Sequence, residues 1–313
     1  MPSLAAFPKG FFDALVARRM TLLEWIELAG TLGLDGVELY PRFFESFDRF
    51  DGAELARVRR EAQARGLALP MMCHSPDFTQ PEPAARDAEV ERARRVFDAT
   101  AALGGRYCRV LSGQNRPGLD EREAMKWVVD CLWRLAPRAE AAGIVMVIEN
   151  HYKDGLWKWP EFAKGSARFL ALLDAVETPL LRVQFDPSNA VVAGEDPCEL
   201  LERVLPRVAT MQASDRWLEG GSIADLRRRA KDPEHGYAPF LRHGVIGRGL
   251  NDWDRIFGTL ARAGWDGWVS IEDGDGPTIE AGMQDLRDSA AFLRAKLARH
   301  FGSRAIGEPG TGS

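Results

Sequence analysis

Short, nearly continuous apolar runs alternate with longer amphipathic segments along the whole chain. Runs such as IVMVIEN and WVSIED are apolar at successive positions, which is typical of parallel strands covered on both faces. The pattern predicts eight strands: Leu4–Phe7, Gly36–Tyr40, Leu67–His74, Tyr107–Ser112, Ile144–His151, Leu181–Asp186, Val208–Ser214 and Trp268–Asp273.

Between these runs the apolar positions follow a helical period. The predicted helices are Thr21–Leu32, Gly52–Arg65, Pro83–Leu103, Asp120–Ala142, Pro160–Val176, Asp196–Leu205, Asp252–Ala263 and Ile279–Phe301. Eight strands that alternate with eight helices predict an α/β fold, a single (β/α)8 TIM barrel over residues 1–301. The segment 217–249 is too long for an ordinary connection and predicts a structured excursion over the barrel mouth. Residues 302–313 have the composition of a disordered tail.

Composition narrows the class of protein. The 313 residues contain 41 Lys and Arg against 46 Asp and Glu, a net charge of −5, and the pI of 5.7 argues against a nucleic-acid partner. No apolar run approaches the roughly 18 residues of a membrane span, and Pro, Lys and Asp come too early for a signal peptide. Four scattered cysteines without a C-x-x-C pair suit a reducing compartment. We therefore expect a cytoplasmic protein without a membrane partner.

Candidate chemistry gathers where the predicted strands end, which is where TIM barrels carry their active sites. Glu149, Asp186, Gln212 and Glu272 end four consecutive strands and offer four oxygen donors, the set that hard divalent ions prefer. Helix caps or rim salt bridges would explain any one of them alone. They explain the four together less well, since a charged group beside a buried strand is costly unless it is paired or bound to a metal.

The strings VIENH (147–151), QFDPSN (184–189), MQASD (211–215) and SIEDG (270–274), in this order and spacing, resemble the xylose-isomerase-like TIM-barrel superfamily. That superfamily includes sugar-phosphate isomerases, ketose 3-epimerases, inosose dehydratases, deglycosidases of 3-oxo-glycosides and endonuclease-IV-type enzymes. The resemblance extends to about Phe301. It implies one divalent metal held by Glu149, Asp186, the position of Gln212, and Glu272. The oxygen-only donor set predicts Mn²⁺ first, with Mg²⁺ or Co²⁺ as alternatives.

Two residues depart from the pattern of the superfamily. Gln212 stands where a His is usual, and Asn189 stands where a substrate-binding His often follows the sixth strand. The endonuclease interpretation is weakened, because it needs several zinc ions and a His-rich site, and the chain has only five His.

Further residues complete the predicted site. The catalytic set is Glu149, His151 and Glu272, with His151 as a general base; a rim His bonded to a carboxylate is the competing interpretation. The predicted substrate-binding residues are His74, Glu38, Asn189, Arg216, Trp157 and His243. Trp157 belongs to the aromatic run HYKDGLWKWPEF, whose ring faces suit a sugar or an aglycone.

The resemblance implies a metal-dependent sugar isomerase or epimerase that abstracts a proton next to a carbonyl and passes through an enediolate. The alternative is a metal-dependent lyase that eliminates a group from a 3-oxo-sugar or 3-oxo-glycoside. A barrel that binds sugar without catalysis is disfavoured, since all four ligand positions keep a coordinating side chain. The expected partners are a small-molecule sugar, a second copy of the chain in a homo-oligomer, and a small β-rich subunit if the enzyme is a deglycosidase.

Overall fold

The computed structural model describes residues 1–229, 238–273, 276 and 278–302. In chain order the strands are β1 (Ser3–Ala6), β2 (Gly36–Val37), β3 (Met71–Cys73), β4 (Tyr107–Val110), β5 (Val145–Glu149), β6 (Leu181–Phe185), β7 (Val208–Ala213), β8 (Asp215–Leu218), β9 (Leu241–Gly244) and β10 (Trp268–Ile271). Eight of them form one parallel sheet in the order β2-β1-β10-β7-β6-β5-β4-β3. Bridges from Gly36 to Ala68 and from Leu39 to Met72 bring its two edges together. The sheet is a nearly closed barrel, and the predicted fold is confirmed.

Helices surround this barrel. They are α1 (Phe12–Val16), α2 (Leu22–Ala29), α3 (Gly52–Ala64), α4 (Pro83–Leu103), α5 (Glu121–Ala142), α6 (Ser166–Ala175), α7 (Pro187–Val192), α8 (Pro197–Val204), α9 (Ile223–Arg229), α10 (Trp253–Arg262) and α11 (Ile279–Phe301). Thr21 and Glu24 form the capping box of α2 that their spacing predicts. Gly104 and Gly143 end α4 and α5 in the left-handed conformation, with φ of 88° and 67°.

The predicted strands were too long, because apolar runs continue beyond the hydrogen-bonded ladders. The run predicted as Leu67–His74 is a strand only over Met71–Cys73, although Leu67 and Leu69 are buried. The helix predicted over Pro160–Val176 begins at Ser166. The residues before Ser166 bond the segment that follows β4 instead, since the Phe162 N–H donates to the Gly113 carbonyl at 2.7 Å. A buried apolar residue therefore need not belong to a hydrogen-bonded strand.

Short elements between the predicted ones were missed. They are α1, α7, α9 and the antiparallel hairpin of β8 and β9. The hairpin confirms a structured excursion within 217–249 for the described residues; 230–237 lie outside them. Residues 303–313 of the predicted tail also lie outside them, so the boundary after Phe301 stays a prediction.

The core lies between the sheet and the surrounding helices, with fully buried side chains such as Trp25, Phe97, Phe169 and Phe257. All four cysteines are buried and free. Among the helices of the described ranges, none has both the length and the apolar character that would let it cross a membrane.

Candidate active site

Three carboxylates meet at the C-terminal ends of the barrel strands. Glu149 ends β5, Asp186 follows β6 and Glu272 follows β10, and each offers an oxygen that lies within 4.8 Å of the other two. Their exposed fractions are 1%, 1% and 6%. Three buried carboxylates so close together are costly unless cations compensate them.

The pKa values of the cluster reflect this cost. Burial raises the pKa of Asp186 to about 6, and the nearby charge of Glu272 adds to the shift. Burial also raises the pKa of Glu149 well above its usual value, against the opposing effect of Arg109. The protein's own cations therefore compensate the cluster only in part, which is the electrostatic condition that favours a divalent ion.

Local hydrogen bonds explain why Asp186 turns into the cluster. It is the N-cap of α7, and its Oδ1 accepts the N–H groups of Ser188 at 2.7 Å and Asn189 at 3.2 Å. The hydroxyl of Ser214 donates to it at 2.9 Å. Asn150 joins the ends of β5 and β6, since its side chain bonds both the carbonyl and the N–H of Asp186, at 2.6 and 2.9 Å. The helix-cap interpretation holds for Asp186, and capping still leaves the residue in the cluster.

Asn189 connects two members of the cluster. Its Nδ2 donates to Glu149 Oε1 at 3.0 Å and to Asp186 Oδ2 at 2.9 Å. The residue therefore sets the spacing of two carboxylates. Its predicted contact with substrate stays a prediction.

Arg109 of β4 is a charged partner that the sequence analysis missed. Its guanidinium donates to Glu149 Oε2 at 2.7 Å and to Ser75 Oγ at 2.9 Å, and the residue is only 3% exposed. The signal in the sequence was a single Arg inside the apolar run YCRVLS, because a charge there requires a buried partner.

Lys9 is the second missed cation. It follows β1 in a short 3₁₀ turn, and its Nζ lies 3.4 Å from Glu272 Oε1. Burial acts to lower the pKa of Lys9, but the surrounding anionic groups, Glu272 first, outweigh it and raise the pKa. Lys9 therefore stays positive beside the cluster.

Gln212 of β7 is fully buried, and neither its amide oxygen nor its NH₂ group has a hydrogen-bond partner among the described residues. A buried amide without partners costs free energy. Its strand runs between β6 and β10, which carry Asp186 and Glu272. With the three carboxylates it makes an oxygen-only donor set, which fits a hard divalent cation. Its role as a ligand stays a prediction.

A cavity of about 290 Å³ opens beside the cluster, lined among others by Lys9, Arg109, His151, His243 and Glu272. The Nδ1 atoms of both imidazoles have no hydrogen-bond partner within the described part of the chain. Burial lowers the pKa of His151 well below its usual value and that of His243 to about 2, with nearby cations contributing. Both rings are therefore neutral, and each carries an unpartnered ring nitrogen beside the cavity.

The remaining predicted substrate-binding residues, which are His74, Trp157, Glu38 and Arg216, do not line this cavity. His74 and Trp157 line a second cavity. Glu38 is fully buried, and its carboxylate accepts a hydrogen bond from the Cys73 thiol at 3.5 Å. Burial raises the pKa of Glu38 to about 8. Arg216 of β8 donates from Nε to Ser188 Oγ at 3.3 Å and lies over the ring of Tyr152. For Glu38 and Arg216, contact with substrate stays a prediction.

Fold and cluster together define a (β/α)8 barrel with an acidic centre at its C-terminal mouth. A family model described as the xylose isomerase-like TIM barrel matches residues 26–296, and the chain belongs to this family.

Curated relatives include an inosose dehydratase of Bacillus thuringiensis (strain Al Hakam), 26% identical over 186 residues, and an inosose dehydratase of Bacillus anthracis at 25%. Each match covers 58% of this chain and 58% of the relative, so the chain spans little more than half the length of these relatives.

Solved structures share the fold over nearly the whole chain. A D-psicose 3-epimerase of Clostridium cellulolyticum H10 has a TM-score of 0.72 at 14% identity, covering 94% of this chain and 99% of that one. A 3-keto-D-glucoside 4-epimerase of E. coli has a TM-score of 0.68 at 17% identity, covering 94% and 100%. At these identities the likeness establishes the fold alone.

Proposed function

We propose that this chain is a divalent-metal-dependent sugar isomerase or epimerase that abstracts a proton next to the carbonyl of a keto sugar, through an enediolate. The observation that carries the proposal is the meeting of Glu149, Asp186 and Glu272 within 4.8 Å beside a cavity that two neutral imidazoles line. Carboxylates for a metal and a neutral base next to one cavity are the groups that this reaction needs.

Glu149, Asp186, Glu272 and the amide oxygen of Gln212 would hold the metal. Mn²⁺ is the first expectation, with Mg²⁺ or Co²⁺ next, because every donor is a hard oxygen. When bound, the ion supplies positive charge that stabilises the developing oxyanion of the enediolate.

The three predicted catalytic residues differ in how many hydrogen bonds their side chains already make. Both oxygens of Glu149 already accept, one from Arg109 and one from Asn189, so Glu149 is the most constrained of the three. His151 presents an unpartnered Nδ1, and the Glu272 carboxylate has only Lys9, at 3.4 Å, as a side-chain partner among the described residues. We therefore assign the movement of protons first to His151 and Glu272. The ammonium of Lys9 would bind a substrate oxygen.

The second candidate is a lyase, favoured by the sequence similarity to inosose dehydratases. Here the base takes the same proton, the C=C bond forms as the C–O bond at the β carbon breaks, and a second group protonates the departing oxygen. His151 and His243 line one cavity, which would let one accept a proton and the other, once protonated, return one.

The test uses Mn²⁺-loaded protein in D₂O with free ketoses and with methyl 3-oxo-glucoside. An isomerase or epimerase places solvent deuterium in the sugar and forms a new isomer, whereas a lyase releases water or methanol. Glu272→Gln should abolish both and lower the bound Mn²⁺ measured by elemental analysis. The proposal is wrong if wild type retains no divalent metal and exchanges no proton with any of these sugars. A cytoplasmic location, a homo-oligomer and a small β-rich subunit stay predictions.

A further inference from the structure

A second cavity of about 310 Å³ adjoins the one beside the carboxylates. Tyr40 and Asp154 line both, so the two cavities are neighbours on the barrel mouth. Small-molecule sites range from roughly 300 to 1,000 Å³. Each cavity alone lies at the lower limit of this range, and the two together lie well inside it.

The residues that line the second cavity offer polar and aromatic groups to a ligand. His74 is 5% exposed and lines it, and its Nε2 has no hydrogen-bond partner among the described residues. Phe47 and Trp157 provide aromatic surface. The loop of Trp157 is held in place, because Gln114 Oε1 accepts the N–H groups of residues 158 and 159 at 2.9 Å each.

Charge indicates what kind of group this cavity accepts. Its acidic side chains, Asp77, Glu89 and Asp154, outnumber its guanidinium groups, Arg42 and Arg92. Arg92 pairs with Glu89 at 3.3 Å. Burial lowers the pKa of His74 to about 3, so its ring is neutral. Asp77 pairs with Arg116, and Asp154 lies 3.9 Å from Arg109, so the acidic groups of this cavity are compensated within the protein. The cavity therefore offers a phosphate or carboxylate little net positive charge, whereas an uncharged ring would meet aromatic faces and one free imidazole nitrogen.

We propose that the second cavity binds the uncharged, ring-bearing aglycone of a keto-glycoside whose keto sugar occupies the cavity beside the carboxylates. This inference rests on the proposed function and extends it from free keto sugars to glycosides. The link between the two parts of the substrate lies against Tyr40 and Asp154, whose side chains are joined by a hydrogen bond of 3.3 Å. A free ketose would leave the second cavity unused.

The kinetic test compares methyl and phenyl 3-oxo-β-D-glucoside by proton exchange with D₂O and by product release. One additional aromatic contact should raise kcat/KM for the phenyl compound about tenfold. Trp157→Ala should bring the phenyl-to-methyl ratio close to one. Trp133→Ala, which removes an exposed Trp on α5, is the matched control and should keep the wild-type ratio. Equal kcat/KM values in wild type, with both sugars turned over, would overturn the inference and leave the proposed function intact.

A binding test covers the case in which neither glucoside reacts, an outcome that would count against the proposed function. Isothermal titration calorimetry with the unreactive phenyl and methyl β-D-glucosides measures the preference for the ring directly. We expect phenyl to bind about tenfold more tightly, and His74→Ala and Trp157→Ala to reduce this preference. The control variant is His300→Ala, because the His300 ring bonds Asp254 on the outer helices. This variant should keep the preference for the phenyl compound. If the two glucosides bind equally to wild type, the second cavity is not an aglycone site.

Discussion

Replacing Arg109 by Met tests whether the carboxylate cluster depends on a buried cation. The guanidinium lies 2.7 Å from Glu149, and the two side chains are 4% and 0% exposed. Met keeps most of the length of the side chain and removes its charge. Glu149 would then be buried beside Asp186 and Glu272 without its closest cation.

The size of the effect follows from this burial. Removing one partner of a buried ion pair costs about 3 to 5 kcal/mol, because the remaining charge keeps its desolvation penalty. We expect the free energy of unfolding of the metal-free protein to fall by this amount. Saturating Mn²⁺ should recover more stability in the variant than in wild type, since the ion replaces the lost positive charge and binds the folded state.

Urea unfolding in EDTA and in Mn²⁺, followed by circular dichroism, measures both quantities. Arg255→Met is the control, because Arg255 forms an exposed pair with Glu202 at 3.0 Å and should lose little or no stability. Two results would refute the reasoning: an Arg109→Met protein as stable as the control, or equal Mn²⁺ stabilisation in variant and wild type. The second would mean that the ion does not bind beside Glu149.

Three further predictions concern single side chains. His151→Ala should slow the chemical step by roughly 10²- to 10⁴-fold with metal content unchanged; an unchanged rate of turnover would make His151 structural, and loss of metal would make it a ligand. Gln212→His should raise zinc affinity, because imidazole is a softer donor than an amide oxygen, and unchanged metal selectivity in competition titrations would remove Gln212 from the ligand set. Glu161→Gln should stabilise the protein more at pH 8 than at pH 5. Burial raises the pKa of Glu161 to about 8 from a usual 4.5, so its stabilising contribution is complete below about pH 4.5 and is lost as the pH rises through 8; parallel pH profiles of wild type and variant would contradict this.

The local pattern of the sequence was sufficient to predict the barrel and the acidic centre. Strand and helix periods are properties of neighbouring residues, and the ends of parallel strands meet at one edge of a sheet whatever its side chains are. Glu149, Asp186 and Glu272 therefore could be placed together from their positions after three apolar runs. The structure brings them together, and their roles as ligands and proton carriers stay predictions. The lengths of the strands could not be read in this way, because buried residues such as Leu67 lie outside the ladder.

Only the tertiary structure determined which cations compensate the cluster and how the cavities divide. Lys9 and Glu272 are 263 positions apart in the chain, and Arg109 and Glu149 are 40 apart, so no local pattern relates them. His74 and His151 both follow apolar runs near strand ends, yet they line different cavities. The physical reason is that the end of a strand determines only that a side chain lies at the C-terminal mouth of the barrel. Which residue that side chain pairs with, and which cavity it lines, depend on how loops distant in sequence pack around it.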